Sequence, residues 1–228
     1  MKLLLDTANV ADIRYFNENY PLVGVTTNPT ILSREGGDIV AKLLEIRNII
    51  GKDKQLHVQV TESTFEGMVA EAHAIVELLG ENTFVKVPVS DLGLKVTKKL
   101  AEDGIGVTET AILTATQAML AAEAGASYVA PYVSRLENIM ADGIGTVADI
   151  ADIFANAGYS TEILAASFKT AKQVLDTALA GAETATVAPD VMKLLAAHPT
   201  STSSIEGFER DWNKAFGDNT LLSLIKKN

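Results

Sequence analysis

Eight times in succession, this 228-residue chain places a short apolar run before a longer segment whose apolar residues recur at helical spacing. The runs fall at residues 3–5, 22–26, 56–60, 83–89, 105–110, 128–133, 163–167 and 184–187. The run at 83–89 is apolar at neighbouring positions and does not alternate, the pattern of a strand covered on both faces, as in a parallel sheet wrapped by helices. The intervening helical segments are expected at 10–19, 39–50, 65–79, 92–102, 116–124, 146–156, 170–179 and 189–197. Eight strand-then-helix units in this length predict an α/β fold, the closed (β/α)8 TIM barrel. A doubly wound open sheet is the alternative, but eight units with no second composition zone favour closure.

Punctuation along the chain agrees with that count. Pro21 closes the first helical segment, Thr27-Asn28-Pro29 reads as a turn whose proline biases Asn28 toward extended backbone, and Gly36-Gly37 is a break. No linker interrupts the pattern, so one domain is expected over 1–228. Beyond the eighth unit, 198–204 is polar and turn-rich, after which Ile205, Phe208, Trp212 and Phe216 mark an appended C-terminal helix at 205–216. Its aromatic stripe either packs on its own barrel or docks on a neighbouring subunit.

Charge narrows the function classes. With 29 acidic against 19 basic residues the formal net charge is −10, and no local basic patch offsets it, so no nucleic-acid partner is expected. Any phosphorylated substrate must be drawn in by a few placed cations. Cysteine is absent, which excludes disulfides, thiolate catalysis and cysteine metal sites and fits a reducing, cytoplasmic location. The opening Met-Lys-Leu-Leu-Leu starts like a signal peptide, but Asp6 interrupts it, and no membrane span is evident. His57, His73 and His198 lack ligand-like spacing, so no metal or other cofactor is expected. The stretch from Gly143 to Ala148 matches the loose dinucleotide fingerprint without a strand before it. It reads as a loop feeding a helix, with Thr146 as the cap.

The run at 83–89, Thr-Phe-Val-Lys-Val-Pro-Val, places Lys86 among β-branched and aromatic neighbours, with Pro88 expected to stop the ladder. Two readings stand. A lysine there either snorkels out from the strand end or is held by a carboxylate, or it is an amine nucleophile kept neutral by its pocket so that it condenses with a carbonyl. At an ordinary pKa of about 10.4, only about one lysine in a thousand is neutral near pH 7.4, so the pocket must shift that balance.

Chemistry in such a barrel sits at the carboxyl ends of the strands. Those ends carry, in order, Asp6, Thr26 with Asn28, Gln59, Lys86, Thr110, Tyr132 with Arg135, and Ser167 with Lys169; the eighth contributes nothing. Singly each has an ordinary explanation as a turn, cap, strand or surface residue. Together they divide into roles. Lys86 forms an iminium with a ketone. Tyr132, Gln59 and Thr110 hold a water for proton transfer. Asp6 and Asn28, with Thr26 beside them, grip substrate hydroxyls. Arg135, Ser167 and Lys169 take a phosphate.

The runs LDTANV, GVTTNPT, VQVTESTFEGM, VKVPV, YVAPYVSRLE and ILAASFKT, in order over nearly the whole chain, resemble the transaldolase family, and most closely its short subfamily that contains fructose-6-phosphate aldolase. The resemblance implies a (β/α)8 barrel, a Schiff base on Lys86 and dihydroxyacetone as the unit transferred or released. Asp6, Asn28, Gln59, Lys86, Thr110, Tyr132, Arg135, Ser167 and Lys169 fall on matching motif positions. Typical transaldolases carry glutamate where Gln59 stands and phenylalanine where Tyr132 stands, so both positions here look aldolase-like. A glutamine only positions a water, whereas the tyrosine hydroxyl takes over proton transfer. The resemblance thus implies reversible cleavage of fructose 6-phosphate to dihydroxyacetone and glyceraldehyde 3-phosphate. The runner-up is transaldolase activity in the pentose phosphate pathway, from sedoheptulose 7-phosphate and glyceraldehyde 3-phosphate to erythrose 4-phosphate and fructose 6-phosphate. It also implies a homo-oligomer, a pentamer or decamer. A non-catalytic barrel that binds sugar phosphates is the reading from another class; it has no use for a buried lysine.

Overall fold

The computed structural model describes residues 1–226. Its chain divides into two compact units, one running to Met192 and the other from Lys193 onward. The first unit begins with β1 (Lys2–Asp6), α1 (Val10–Asn19), β2 (Leu22–Thr26), α2 (Pro29–Glu35), α3 (Ile39–Ile50), β3 (Gln55–Gln59) and α4 (Phe65–Leu79). It continues with β4 (Thr83–Pro88), α5 (Asp91–Glu102), β5 (Val107–Ile112), α6 (Ala115–Glu123), β6 (Tyr128–Pro131), α7 (Val133–Asn138) and α8 (Gly143–Ala157). The last elements are β7 (Glu162–Ala165), α9 (Ala171–Leu179), β8 (Thr184–Val187) and α10 (Pro189–Ala196), whose final residues belong to the second unit.

All eight strands are parallel, each pairs with its neighbour in sequence, and β8 returns to β1, closing the barrel. Helices connect the strands, as the alternation of runs requires. The main core lies between strands and helices, where Leu5, Val25, Leu56 and Ile163 meet Phe16, Ile46, Ile150 and Phe154, all buried. Burying each such side chain is worth about 1.5–3 kcal/mol. A smaller cluster of Leu4, Tyr128 and Leu164, with Val23 and Phe84 against it, completes the packing.

Short polar side chains fix where the helices begin. Asn9, Asn28, Asp38, Thr64, Ser90, Thr114, Asp142 and Thr170 each accept a hydrogen bond from a backbone N–H in the first turn of the helix that follows. Removing one such cap costs about 1 kcal/mol. Asn28 is extended, as Pro29 demands, but the turn expected there opens α2, with Pro29 in its first turn. Two further expectations change. Residues 133–138 form α7, where no helical segment is expected, and α8 starts at Gly143, capped by Asp142, so Thr146 lies inside the helix and donates to the Asp142 carbonyl at 2.8 Å.

β4 ends at Pro88, as expected: its last pair is Pro88 with Thr110, closed by the Val89 N–H, which donates to the Thr110 carbonyl at 3.0 Å. The seventh strand end differs: β7 ends at Ala165, because Ser167 turns to left-handed backbone (φ 64°) and gives its carbonyl to the Ser134 N–H at 2.9 Å.

The second unit contains α11 (Pro199–Phe216) and α12 (Leu221–Ile225). The helix expected at 205–216 therefore starts six residues earlier. His198 caps it by accepting the Thr200 N–H, Pro199 is pre-set for its first turn, and Ser203 and Ser204 donate back to the Thr200 carbonyl. None of its residues is buried, and Phe208 is 71% exposed. Among the described residues no helix is long and apolar enough to cross a membrane.

α5 comes close to the strand that carries Lys86. A Cβ on Gly93 would stand 2.2 Å from the Pro88 carbonyl oxygen. In an open helix interior Gly→Ala stabilises by about 1 kcal/mol. Here overpacking dominates, so Gly93→Ala is expected to destabilise by about 1–3 kcal/mol. Urea denaturation checks the sign: a variant as stable as the parent would show that the helix shifts freely.

Candidate active site

Parallel pairing aligns the carboxyl ends of the strands, and the site grows from that register: Asp6 pairs with Thr26, Gln59 with Lys86 and Pro88 with Thr110. Lys86 is 4% exposed, and its Nζ donates to the Thr27 carbonyl at 2.9 Å. Burial brings the amine below its ordinary pKa, opposed by the negative charge of Asp6. Asp6 is pushed the other way: burial raises it, while the Lys86 charge and the Thr26 hydrogen bond hold it down. No ion pair within 4.0 Å joins them among the described residues, so neither charge is neutralised by direct contact. Desolvation biases both groups toward their neutral forms.

Thr26 is fully buried; its Oγ1 donates to Asp6 Oδ1 at 2.6 Å and lies 2.6 Å from Thr186 Oγ1. Asn28 spends its Oδ1 on the Ile31 N–H at 2.9 Å, the capping role an asparagine before a helix normally has, which leaves its amide N–H groups to donate elsewhere. Thr110 on β5, 1% exposed, meets Tyr132, the residue that follows β6, with Oγ1 and OH 3.0 Å apart. Arg135 places its guanidinium carbon 5.1 Å from the Tyr132 ring centroid, a cation–π distance.

Two clusters therefore form: Asp6, Thr26 and Lys86 in one, Thr110, Tyr132 and Arg135 in the other. Gln59 is beside Lys86 in register but makes no side-chain hydrogen bond among the described residues. Ser167 is tied to α7, the helix of Arg135, only through its backbone carbonyl. Lys169 follows on the exposed approach to α9, its backbone N–H donating to Gln173 Oε1 at 2.6 Å. Two non-glycine residues flank the clusters in left-handed backbone, Ser167 and Ala111 (φ 61°), the latter in the register shift between Thr110 and Ile112. Such strain persists only where surrounding contacts enforce it.

Two groups escape a reading of the sequence. Thr27 acts through its carbonyl, which leaves no trace in residue identity. Thr186 answers from β8, the strand end credited with nothing; the period-two Thr184–Thr186 pattern was its signal.

His57 is fully buried on β3, stacked on Phe84 at 4.8 Å. Gln55 donates its amide to the Tyr128 hydroxyl at 2.9 Å, so its carbonyl accepts from His57 Nε2–H at 3.1 Å, and Nδ1 accepts from the Thr108 hydroxyl at 2.8 Å. Burial, then the positive charges of Lys86 and Arg47, hold this imidazole well below its ordinary pKa, so it adds no second cation near Lys86. Of the other histidines, His73 pairs with Asp103 at 3.0 Å, and His198 caps α11.

A buried amine at a barrel-strand terminus, a hydrogen-bonded carboxylate near it and a tyrosine–threonine pair are groups suited to carbonyl condensation and proton transfer. The family model described as transaldolase/fructose-6-phosphate aldolase matches residues 3–220. A probable fructose-6-phosphate aldolase of Streptococcus pneumoniae is 39% identical over 213 residues, 93% of this chain and 96% of that one. Probable transaldolases of Clostridium acetobutylicum and Agathobacter rectalis are 42% and 41% identical, covering 95% and 96% of this chain and 99% and 100% of theirs. With a barrel, an ordered set of motifs and relatives of matching length in agreement, the chain belongs to the transaldolase/fructose-6-phosphate aldolase family of enzymes.

Proposed function

We propose that this enzyme is a class I aldolase that reversibly cleaves fructose 6-phosphate to dihydroxyacetone and glyceraldehyde 3-phosphate, with Lys86 as its Schiff-base nucleophile. The observation that carries this reading is a primary amine only 4% exposed, on a strand of the barrel, with its proton affinity lowered by burial. The neutral amine adds to the C2 ketone, and loss of water from the carbinolamine gives an iminium ion. The C4 hydroxyl proton is removed, the C3–C4 electrons move to the iminium nitrogen, and the phosphorylated aldehyde departs. Protonation of the resulting enamine at carbon, followed by addition of water to the iminium, frees dihydroxyacetone and restores the amine.

Asp6 and the Asn28 amide orient the substrate hydroxyls in this scheme, with Thr26 fixing Asp6. Tyr132, with its hydroxyl against Thr110, is the proton donor to the enamine, and Gln59 holds a water. Arg135 and Lys169, which have no carboxylate partner among the described residues, bind the phosphate together with the Ser167 hydroxyl. Cytoplasmic action as a homo-oligomer belongs to the same reading; the exposed Ile205, Phe208 and Phe216 of α11 supply apolar surface for a second copy.

The names of the relatives favour a second reading, obligate transfer of the dihydroxyacetone unit. Following fructose 6-phosphate with and without erythrose 4-phosphate separates the two. Dihydroxyacetone is expected to accumulate without an acceptor, because Tyr132 protonates the enamine. Turnover only in the presence of erythrose 4-phosphate would establish a transaldolase instead.

A further inference from the structure

The bond between Thr26 and Asp6 runs one way, with the Thr26 hydroxyl donating to Asp6 Oδ1 at 2.6 Å. That hydroxyl owns a single hydrogen. In its second bond, to Thr186 Oγ1 at 2.6 Å, Thr186 must therefore be the donor. The outcome is a directed relay, Thr186 to Thr26 to Asp6, which crosses β8, β2 and β1. Thr26 is fully buried and Thr186 is 3% exposed, so water does not substitute for either partner. A valine would suit this strand position equally well in shape and β propensity, and the hydroxyl needs another reason to be there.

We propose that Thr186 is a positioning residue of the active site: through Thr26 it holds the Asp6 carboxylate in the orientation that meets Lys86 and the substrate hydroxyls. The inference rests on the Schiff-base reading above and assigns β8 the role that each of the other strands already has. The charged group facing Asp6 is Lys86 on β4; its neighbours on β2 and β8 are the two uncharged hydroxyls, and His57 on β3 is neutral. Burial raises Asp6 while Lys86 and Thr26 restrain it. Hydrogen bonds in a chain polarise one another, so loss of the Thr186 donor weakens the Thr26 restraint and moves Asp6 upward.

Thr186→Ser and Thr186→Ala differ by one hydroxyl, and Thr186→Val keeps the native shape without it. Fructose 6-phosphate cleavage is measured for all three over roughly pH 5 to 9, alongside thermal unfolding and borohydride trapping with dihydroxyacetone. The alanine and valine variants are expected to lose about tenfold in kcat, with the acid limb of kcat/KM raised by about half a pH unit; the serine variant keeps the parental limb and at least about a third of kcat. Parental kcat and limb in both hydroxyl-free variants would overturn the relay, as would a serine variant as impaired as alanine. If Thr186→Val does not fold, the serine–alanine pair decides. A parent that forms the borohydride adduct on Lys86 while the alanine variant behaves as parental refutes the relay alone. Absence of that adduct in the parent removes the Schiff-base reading, and the relay with it.

Discussion

Lys86→Met is expected to lower turnover by at least about 10⁴-fold and to abolish the borohydride adduct, while the protein still folds as a barrel. The side chain is a buried stem of similar volume in the two residues, so packing survives. Lys86→Arg makes the test sharper. It keeps a cation in the pocket but removes the nucleophile, because a guanidinium stays protonated. A barrel that only bound a sugar phosphate would tolerate arginine; an enzyme that forms an iminium would not. The measurements are cleavage rate, adduct mass by peptide mapping and thermal unfolding. Turnover above about one per cent of parental in a folded Lys86→Met or Lys86→Arg would remove Lys86 from the chemistry. The size of the effect follows from the pocket. An ordinary lysine is about one part in a thousand neutral near pH 7.4, and each tenfold gain in that fraction corresponds to about 1.4 kcal/mol of desolvation. Burial on a strand moves the amine in that direction, opposed by the charge of Asp6, whereas an exposed lysine would have to obtain any shift from neighbouring charge.

The barrel was legible because its evidence is spread over eight repeats. α1, α3 and α4 begin and end where their spacing and caps put them, since Asn9, Asp38 and Thr64 are polar breaks before clear apolar stripes. Short elements were lost for a physical reason: α7 has six residues, too few to show a period. Its first N–H groups are satisfied from afar, Val133 by the Ala166 carbonyl and Ser134 by that of Ser167, so tertiary hydrogen bonds do the work that a cap does elsewhere. α2 was hidden by Pro29, which marks a turn and a helix start equally well.

Legibility of the site followed the same division. Residue type at a strand terminus marks Asp6, Lys86 and Thr110 as candidates, because a polar group ending an apolar run stands out. Hydrogen-bond direction was invisible. Thr186 lies in a strand whose composition, Thr-Ala-Thr-Val, is accounted for by β propensity alone, and Thr27 acts through a backbone carbonyl that every residue has. The sequence places Ser167 in a strand, because its left-handed backbone, unusual for serine, depends on contacts remote in sequence.

Glu109→Gln is expected to stabilise the protein at pH 8 by up to about 3 kcal/mol while leaving stability near pH 4 unchanged. Glu109 lies on β5 next to Thr110 and accepts a hydrogen bond from the Thr97 hydroxyl of α5. It is fully buried, and its second oxygen has no hydrogen-bond partner among the described residues. Burial raises its pKa from 4.5 to about 7, with the Thr97 bond opposing the rise. The sign follows from proton counting. Below pH 4.5 both folded and unfolded chains hold the proton, and the group exerts no pH-dependent effect. Between 4.5 and about 7 the unfolded chain loses it first, so stability falls as pH rises; above about 7 both are ionised and the penalty is constant. Glutamine never ionises, keeps an acceptor for Thr97 and escapes the penalty, so the difference between variant and parent should open across that window and then plateau. At about 2–4 °C per kcal/mol for a chain of this size, several degrees of Tm separate the two at pH 8. A difference in Tm that stays flat between pH 4.5 and 8 would show that Glu109 is solvated or paired in the folded state. Because Glu109 faces α5 through Thr97, opposite to the Thr110–Tyr132 pair, cleavage by Glu109→Gln at pH 7 should match the parent. That separates a buried carboxyl that fixes α5 against β5 from one that takes part in proton transfer.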